Sequence, residues 1–136
     1  ERMTRNTLIR KISGKTAEAV MKEMERIREE FGSQFIQVFK TITSDNGSEF
    51  ASLSDLNSQG VGVYYTHPYS SFERGTNENH NGLLRRFIPK GKKISNYSRE
   101  AIERVEEWCN TLPRKILGYR TPEELFEHQL DLIYAL

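Results

Sequence analysis

Residues 35 to 43 constrain the fold of this chain most. Phe35, Ile36, Val38, Phe39 and Ile42 crowd aromatic and β-branched side chains into a run without Gly or Pro, the pattern of a buried strand. It leads straight into Ser44-Asp45-Asn46-Gly47. Around it the periodicity alternates. Thr7 to Ile12 reads as a strand ending at Ser13-Gly14, and Thr16 can cap a helix carrying Val20, Met24, Ile27 and Phe31 on one face until Gly32 stops it. After the Asp-Asn-Gly turn come a short helix near Glu49 to Gln59, a strand Val61 to Tyr65 and a loop from Thr66 to Thr76. A helix over Glu78 to Phe87 follows, capped by Thr76 or Asn77 and broken by Pro89-Lys90-Gly91. Ser98 caps a further helix with Ile102, Val105, Cys109 and Leu112 on one stripe, and Thr121-Pro122-Glu123-Glu124 opens the last with a capping box. Strands alternating with helices, then helices alone, predict an α/β sheet with helices packed on it.

At 136 residues, without an internal repeat, low-complexity tract or long linker, the chain reads as a single domain, 1–136. A charged fraction of 29% and a mean hydropathy of -0.68 leave no apolar stretch of the roughly 20 residues that span a membrane. Cys109 is the only cysteine, so a disulfide framework and a cysteine-rich zinc site are excluded, and the expected setting is a reducing cytoplasm. The net charge of +1 says little about partners, but its distribution is uneven. Between Glu78 and Glu100 every charge is positive: Arg85, Arg86, Lys90, Lys92, Lys93 and Arg99. Such a strip beside a candidate site suits a polyanion, whereas standing alone a run of this kind is more often a plain solvated face.

Two carboxylates stand out. Asp45 follows a predicted strand, where α/β sheets collect ligands, although Asp-Asn-Gly also simply starts a tight turn. Glu78 opens a helix, where it also stabilises the helix dipole; Arg85 lies two turns further along the same face with Arg86 beside it. The two acids are 33 positions apart, a strand end and a helix start bridged by one helix and one strand, so they can converge. Converging carboxylates are what hard Mg²⁺ or Mn²⁺ requires. His67, His80 and His128 are scattered, Cys109 reads as a small core residue, and Tyr64, Tyr65 and Trp108 read as core or sheet packing.

Thr43-Ser44-Asp45-Asn46-Gly47-Ser48-Glu49-Phe50, then Arg74-Gly75-Thr76-Asn77-Glu78-Asn79 and Asn81-Gly82-Leu83-Leu84-Arg85-Arg86, resemble the integrase core of bacterial insertion-sequence transposases, in particular the IS thirty family. Pro113-Arg114-Lys115 and Leu117-Gly118-Tyr119-Arg120-Thr121-Pro122 resemble that family's C-terminal segment, and Glu1-Arg2 with Thr4-Arg5 its second-strand region, so the resemblance covers nearly the whole chain. It implies a ribonuclease-H-like mixed sheet with flanking helices and a DDE-type polynucleotidyl transferase that cleaves DNA and transfers strands in integration and recombination. Asp45 and Glu78 would be its catalytic and metal-holding second and third acids, with two Mg²⁺ or Mn²⁺ ions in the intact enzyme. DNA, as transposon ends and target, would be the partner, met by Arg74, Asn77, Arg85, Arg86, Lys90, Lys92 and Lys93, with Tyr69 and Asn79 helping to shape the site. The setting would be the bacterial cytoplasm.

The family's first catalytic aspartate precedes the position of Glu1, and residues 1 to 44 contain no aspartate. The expectation is therefore an N-terminally truncated core lacking the first strand, inactive alone and prone to self-associate through an open sheet edge. Leu112, Ser71 and Phe72 depart from the family's usual arginine, proline and tryptophan. A non-catalytic DNA-binding or self-association fragment of a decayed transposase, and a ribonuclease-H-like nuclease for another nucleic acid, are the alternatives.

Overall fold

The computed structural model describes residues 1–66 and 81–135. They fall into two units, one of residues 12–66 and one of 1–11 with 81–135. No helix among the described residues is long and apolar enough to cross a membrane.

In the first unit, helix α1 (Ala17–Phe31) starts where Thr16 accepts the amide hydrogen of Ala19 and ends at Gly32, whose φ of 59° with ψ of -139° is a conformation that glycine adopts freely. Ala19, Val20 and Ile27 are its buried residues. Strand β1 (Thr41–Ser44) pairs in parallel with β2 (Gly62–Tyr65), in register from Thr41 opposite Gly62 to Ser44 opposite Tyr65. The connection is a 3₁₀ helix, Ser48–Gln59. At three residues per turn, Phe50, Leu53 and Leu56 line one edge, and Leu53 and Leu56 are buried as this helix packs against α1 and β2.

The run from Phe35 is only partly a strand. Phe35–Val38 forms one helical turn, α2, and extended pairing begins at Thr41. The aromatic rings decide this. Phe35, 2% exposed, stacks on Phe39 with centroids 4.8 Å apart, and Phe39 meets Phe31 edge-on at 5.3 Å. Residues four apart in a strand stand about 13 Å from each other, so only a helical turn brings the rings together.

On the outer side of β2 the Val63 N–H donates to Asn57 Oδ1 at 2.9 Å, so a side chain occupies a position that another strand's carbonyl would take. Tyr65 directs its hydroxyl to Phe50 O at 2.8 Å, whereas Tyr64, expected in the packing, is largely exposed.

The second unit is built on helices α3 (Arg99–Thr111) and α4 (Pro122–Tyr134), which pack together. Ser98 caps α3 on the Ala101 amide, and Thr121 and Glu124 close a capping box with Pro122 in the first turn. Ile102, Val105 and Cys109 are buried, Leu112 partly so, and Trp108 packs edge-on against Phe87 at 4.8 Å.

The predicted strand over Thr7 to Ile12 is not one. Its backbone finds partners in α3 side chains: Thr7 N–H donates to Asn110 Oδ1 at 2.8 Å, Asn110 Nδ2 donates to Thr7 O at 2.9 Å, and Ile9 N–H donates to Glu106 at 2.6 Å. A carboxamide that both accepts and donates serves one residue as a neighbouring strand would, so the backbone is satisfied without a ladder.

Asn110→Leu should therefore cost about 1–3 kcal/mol in urea unfolding, because it strands both backbone groups of Thr7, whereas substituting exposed Glu107 should change little. Burial pushes the Cys109 thiol above its ordinary range; the nearby Arg114 charge opposes this and Glu106 adds to it. The folded thiol keeps its proton to higher pH than the unfolded one. Its contribution is thus complete below the ordinary thiol value of about 8.5 and is lost as pH rises through the raised one. Ellman's reagent at pH 8 should label Cys109 slowly in the folded chain and fully in urea, and Cys109→Ala should flatten the alkaline fall in stability.

Candidate functional site

Parallel pairing brings the carboxyl ends of β1 and β2 side by side. Thr66 N–H donates to Ser44 O at 2.8 Å, carrying the pairing past the last strand residue, and both Ser44 and Thr66 are buried. Asp45 is the next residue, partly exposed at this end of the sheet. One of its oxygens, Oδ1, accepts the Gly47 N–H at 2.9 Å, the closure of an Asx turn. Asn46 reaches across, and its Nδ2 donates to Thr66 O, tying the loop after β1 to the end of β2. Asp45 thus starts a turn and also stands at the strand end.

Glu49 is the acid that sequence reasoning passed over. Its side chain, 14% exposed, lies 4.0 Å from Lys15 Nζ, and a methyl group at Gly47 would stand 2.8 Å from both of its oxygens. Glycine is therefore what lets this carboxylate lie over the Asp45–Gly47 turn. The Glu49 Oε2 atom is buried without a hydrogen-bond partner. Its signal was present in the Asp-Asn-Gly-Ser-Glu run, but only the tight packing over Gly47 gives it meaning. Lys15 is 80% exposed, so that ion pair contributes little.

Asp45 and Glu49 offer hard carboxylate oxygens, the donor type that Mg²⁺ and Mn²⁺ take. Among the described residues no group of three or more His, Cys, Asp or Glu side chains could hold a metal ion. Glu78, Arg74, Asn77, Tyr69, Asn79, His67 and His80 lie outside the described residues.

The basic strip belongs to the second unit. Residues 81–84 are helical, Ile88 is buried, Phe87 rests against Trp108, and Gly91 with φ 84° turns the chain. Arg85, Arg86, Lys90, Lys92 and Lys93 are all exposed along this segment. Arg85 Nη1 donates to Ile88 O at 3.3 Å, so part of its guanidinium closes the local turn. Among the described residues, Arg86, Lys90, Lys92 and Lys93 make no ion pair, which leaves their charge directed to solvent.

Comparison with known proteins gives this geometry a context. No family model matches the chain. It is 42% identical over 127 residues to the probable transposase for insertion-like sequence element IS1161 of Streptococcus salivarius, an alignment covering 93% of this chain and 35% of that protein. It is 40% identical over 136 residues to the transposase for insertion sequence element IS4351 of Bacteroides fragilis, covering 96% and 39%. It is 35% identical over 133 residues to the transposase InsI for insertion sequence element IS30A of Escherichia coli K12, covering 97% and 34%. Homologues at 35–42% identity over most of this chain are thus insertion-sequence transposases, IS30 among them, and the chain spans between about a third and two fifths of their length.

The bridge from Asn46 to Thr66 generates a prediction. Asn46→Ala should lower stability by about 1 kcal/mol, and Asn46→Asp should lower it further by setting a carboxylate against the Thr66 carbonyl. Urea titrations of the three proteins check both.

Proposed function

We propose that this chain is a segment of the catalytic region of a DNA-acting transposase of the DDE type, with a ribonuclease-H-like sheet to which β1 and β2 contribute. Asp45 would be its second acidic ligand and Glu78 its third. The observation that carries this reading is the placement of Asp45 at the shared carboxyl end of two parallel strands, in a chain whose relatives are insertion-sequence transposases. Carboxyl ends of parallel strands are where α/β sheets present ligand-binding side chains.

Asp45 would hold Mg²⁺ or Mn²⁺ together with Glu78, and two such ions, when bound, supply an activated water or 3′ hydroxyl and stabilise the leaving oxygen. The Asx turn fixes the Asp45 carboxylate through the Gly47 N–H, and the Asn46 link to Thr66 fixes the loop that carries it. Arg85, Arg86, Lys90, Lys92 and Lys93 would bind the phosphate backbone of the DNA, releasing counterions and making binding salt-sensitive. Self-association on DNA belongs to the same reading.

Titration of Mg²⁺ or Mn²⁺ by calorimetry, with the 136-residue chain and with a version extended to the length of its relatives, tests the assignment. Asp45→Asn should abolish metal binding in the extended protein and lower DNA strand transfer about a hundredfold or more, since a bound ion supplies several kcal/mol of charge stabilisation. Metal binding and strand transfer that ignore Asp45→Asn would reduce Asp45 to a turn residue and end the enzymatic reading. DNA binding that falls steeply with salt, without metal-dependent cleavage in the extended protein, would instead support a non-catalytic DNA-binding segment.

A further inference from the structure

The connection between α3 and α4 is a closed turn with an unusual backbone. Arg114 N–H donates to Arg120 O at 3.0 Å, and Tyr119 N–H donates to Arg114 O at 2.8 Å. The closure puts two consecutive residues, Gly118 and Tyr119, at φ 65°. Glycine adopts that conformation freely, whereas a tyrosine there is strained by about 1 kcal/mol or more. Burial does not offset the strain, because the Tyr119 residue is 70% exposed. Ile116, on the same turn, is 71% exposed, while Leu117 is buried and anchors it.

The turn is held from within. Arg114 Nη2 donates to Cys109 O at 2.8 Å and its Nε to Leu112 O at 3.3 Å, which satisfies carbonyls at the end of α3. Arg120 Nε donates to Leu117 O at 3.3 Å. Beneath lies an open hollow of about 380 Å³ lined in part by Met3, Ile116, Leu117, Arg120 and Leu125, and Met3 is itself exposed.

The turn itself carries charge of one sign: between Pro113 and Thr121 the charged residues are Arg114, Lys115 and Arg120. The segment that carries Met3 is mixed, with Arg2 and Arg5 beside Glu1, whose carboxylate is taken up by the Met3 and Thr4 N–H groups at 2.8 and 2.6 Å. The acids that follow the turn in sequence, Glu123 and Glu124, lie in the first turn of α4, where Glu124 is engaged in the capping box. An exposed ring and aliphatic side chains bordered by cations match a single-stranded nucleic acid, whose bases stack on aromatic rings while its phosphates take the positive charge. Protein interfaces also favour tyrosine and arginine but are depleted of lysine, so exposed Lys115 beside the ring is the feature that favours a nucleic acid.

We propose that the Arg114–Arg120 turn is a contact for single-stranded DNA, with a base stacked on Tyr119 beside Ile116 and its phosphates on Lys115 and Arg120. The contact rests on the DNA-acting reading above and adds to it a site distinct from Asp45 and from the Arg85–Lys93 strip. Its strained tyrosine gives an unusually clean test, because stability and binding should move independently. Fluorescence anisotropy with a labelled oligothymidine of roughly 16 nucleotides, and with a duplex of equal length, compares the 136-residue chain with Tyr119→Gly, Tyr119→Phe and Lys115→Gln.

Tyr119→Gly should keep or raise the melting temperature and weaken single-strand binding about tenfold, with duplex affinity little changed. Tyr119→Phe should bind as the parent does, because the ring and not the hydroxyl stacks. Lys115→Gln should reduce the salt dependence of single-strand binding by about 0.7 in the log–log slope, the value of one phosphate contact. Unaltered single-strand affinity in Tyr119→Gly overturns the proposal. So does a sedimentation change from dimer to monomer in Tyr119→Gly without loss of DNA binding, which would make the turn a self-association face. A parent chain that binds neither DNA form counts against the DNA-acting reading itself, whereas duplex binding that persists beside an indifferent Tyr119→Gly removes only this contact.

Discussion

The parallel pairing of β1 with β2 is the constraint from which the unit of residues 12–66 follows. Parallel neighbours cannot be joined by a tight hairpin, so the chain must leave the end of β1, travel back along the sheet and return. The Ser48–Gln59 helix makes that journey, and its buried edge of Leu53 and Leu56 gives α1 a surface to cover. The same pairing sets Ser44 and Thr66 at one end of the sheet, and the Asp45–Gly47 turn is what the chain does on leaving it. The position of the carboxylate is thus inherited from strand direction.

Features governed by near neighbours were legible in the sequence. Thr16, Ser98 and Thr121 cap the helices expected of them, Gly32 ends α1, and the stripe of Ile102, Val105 and Cys109 is buried. Their physics lies within one helical turn. The misread segments, 7–12 and 35–40, depend on groups elsewhere: a carboxamide about a hundred positions along the chain in one case, a cluster of three aromatic rings in the other. β-propensity describes a side chain's fit to a pleated surface, and it is silent when a helix side chain takes the role of the neighbouring strand.

The candidate site shows the same division. Asp45 was legible because a strand end followed by Asp-Asn-Gly is a local signal, and its turn and its strand-end position prove to be two aspects of one geometry. The burial of Glu49 was not, since it comes from lying over a residue with no Cβ. Tyr119 was legible only as part of a motif; its positive φ and exposure emerge from a turn closed across six residues.

The attachment of residues 7–9 to α3 has a dynamic corollary. Thr7 and Ile9 have no regular secondary structure, yet their amides are held by Asn110 and Glu106, side chains one turn apart on the same helix. An amide so held is released only when the segment lifts away or when that stretch of helix loses its shape. Deuterium uptake at Thr7 and Ile9 then reports both events, so a stretch without regular secondary structure is protected to the extent that α3 and its contact with the segment persist.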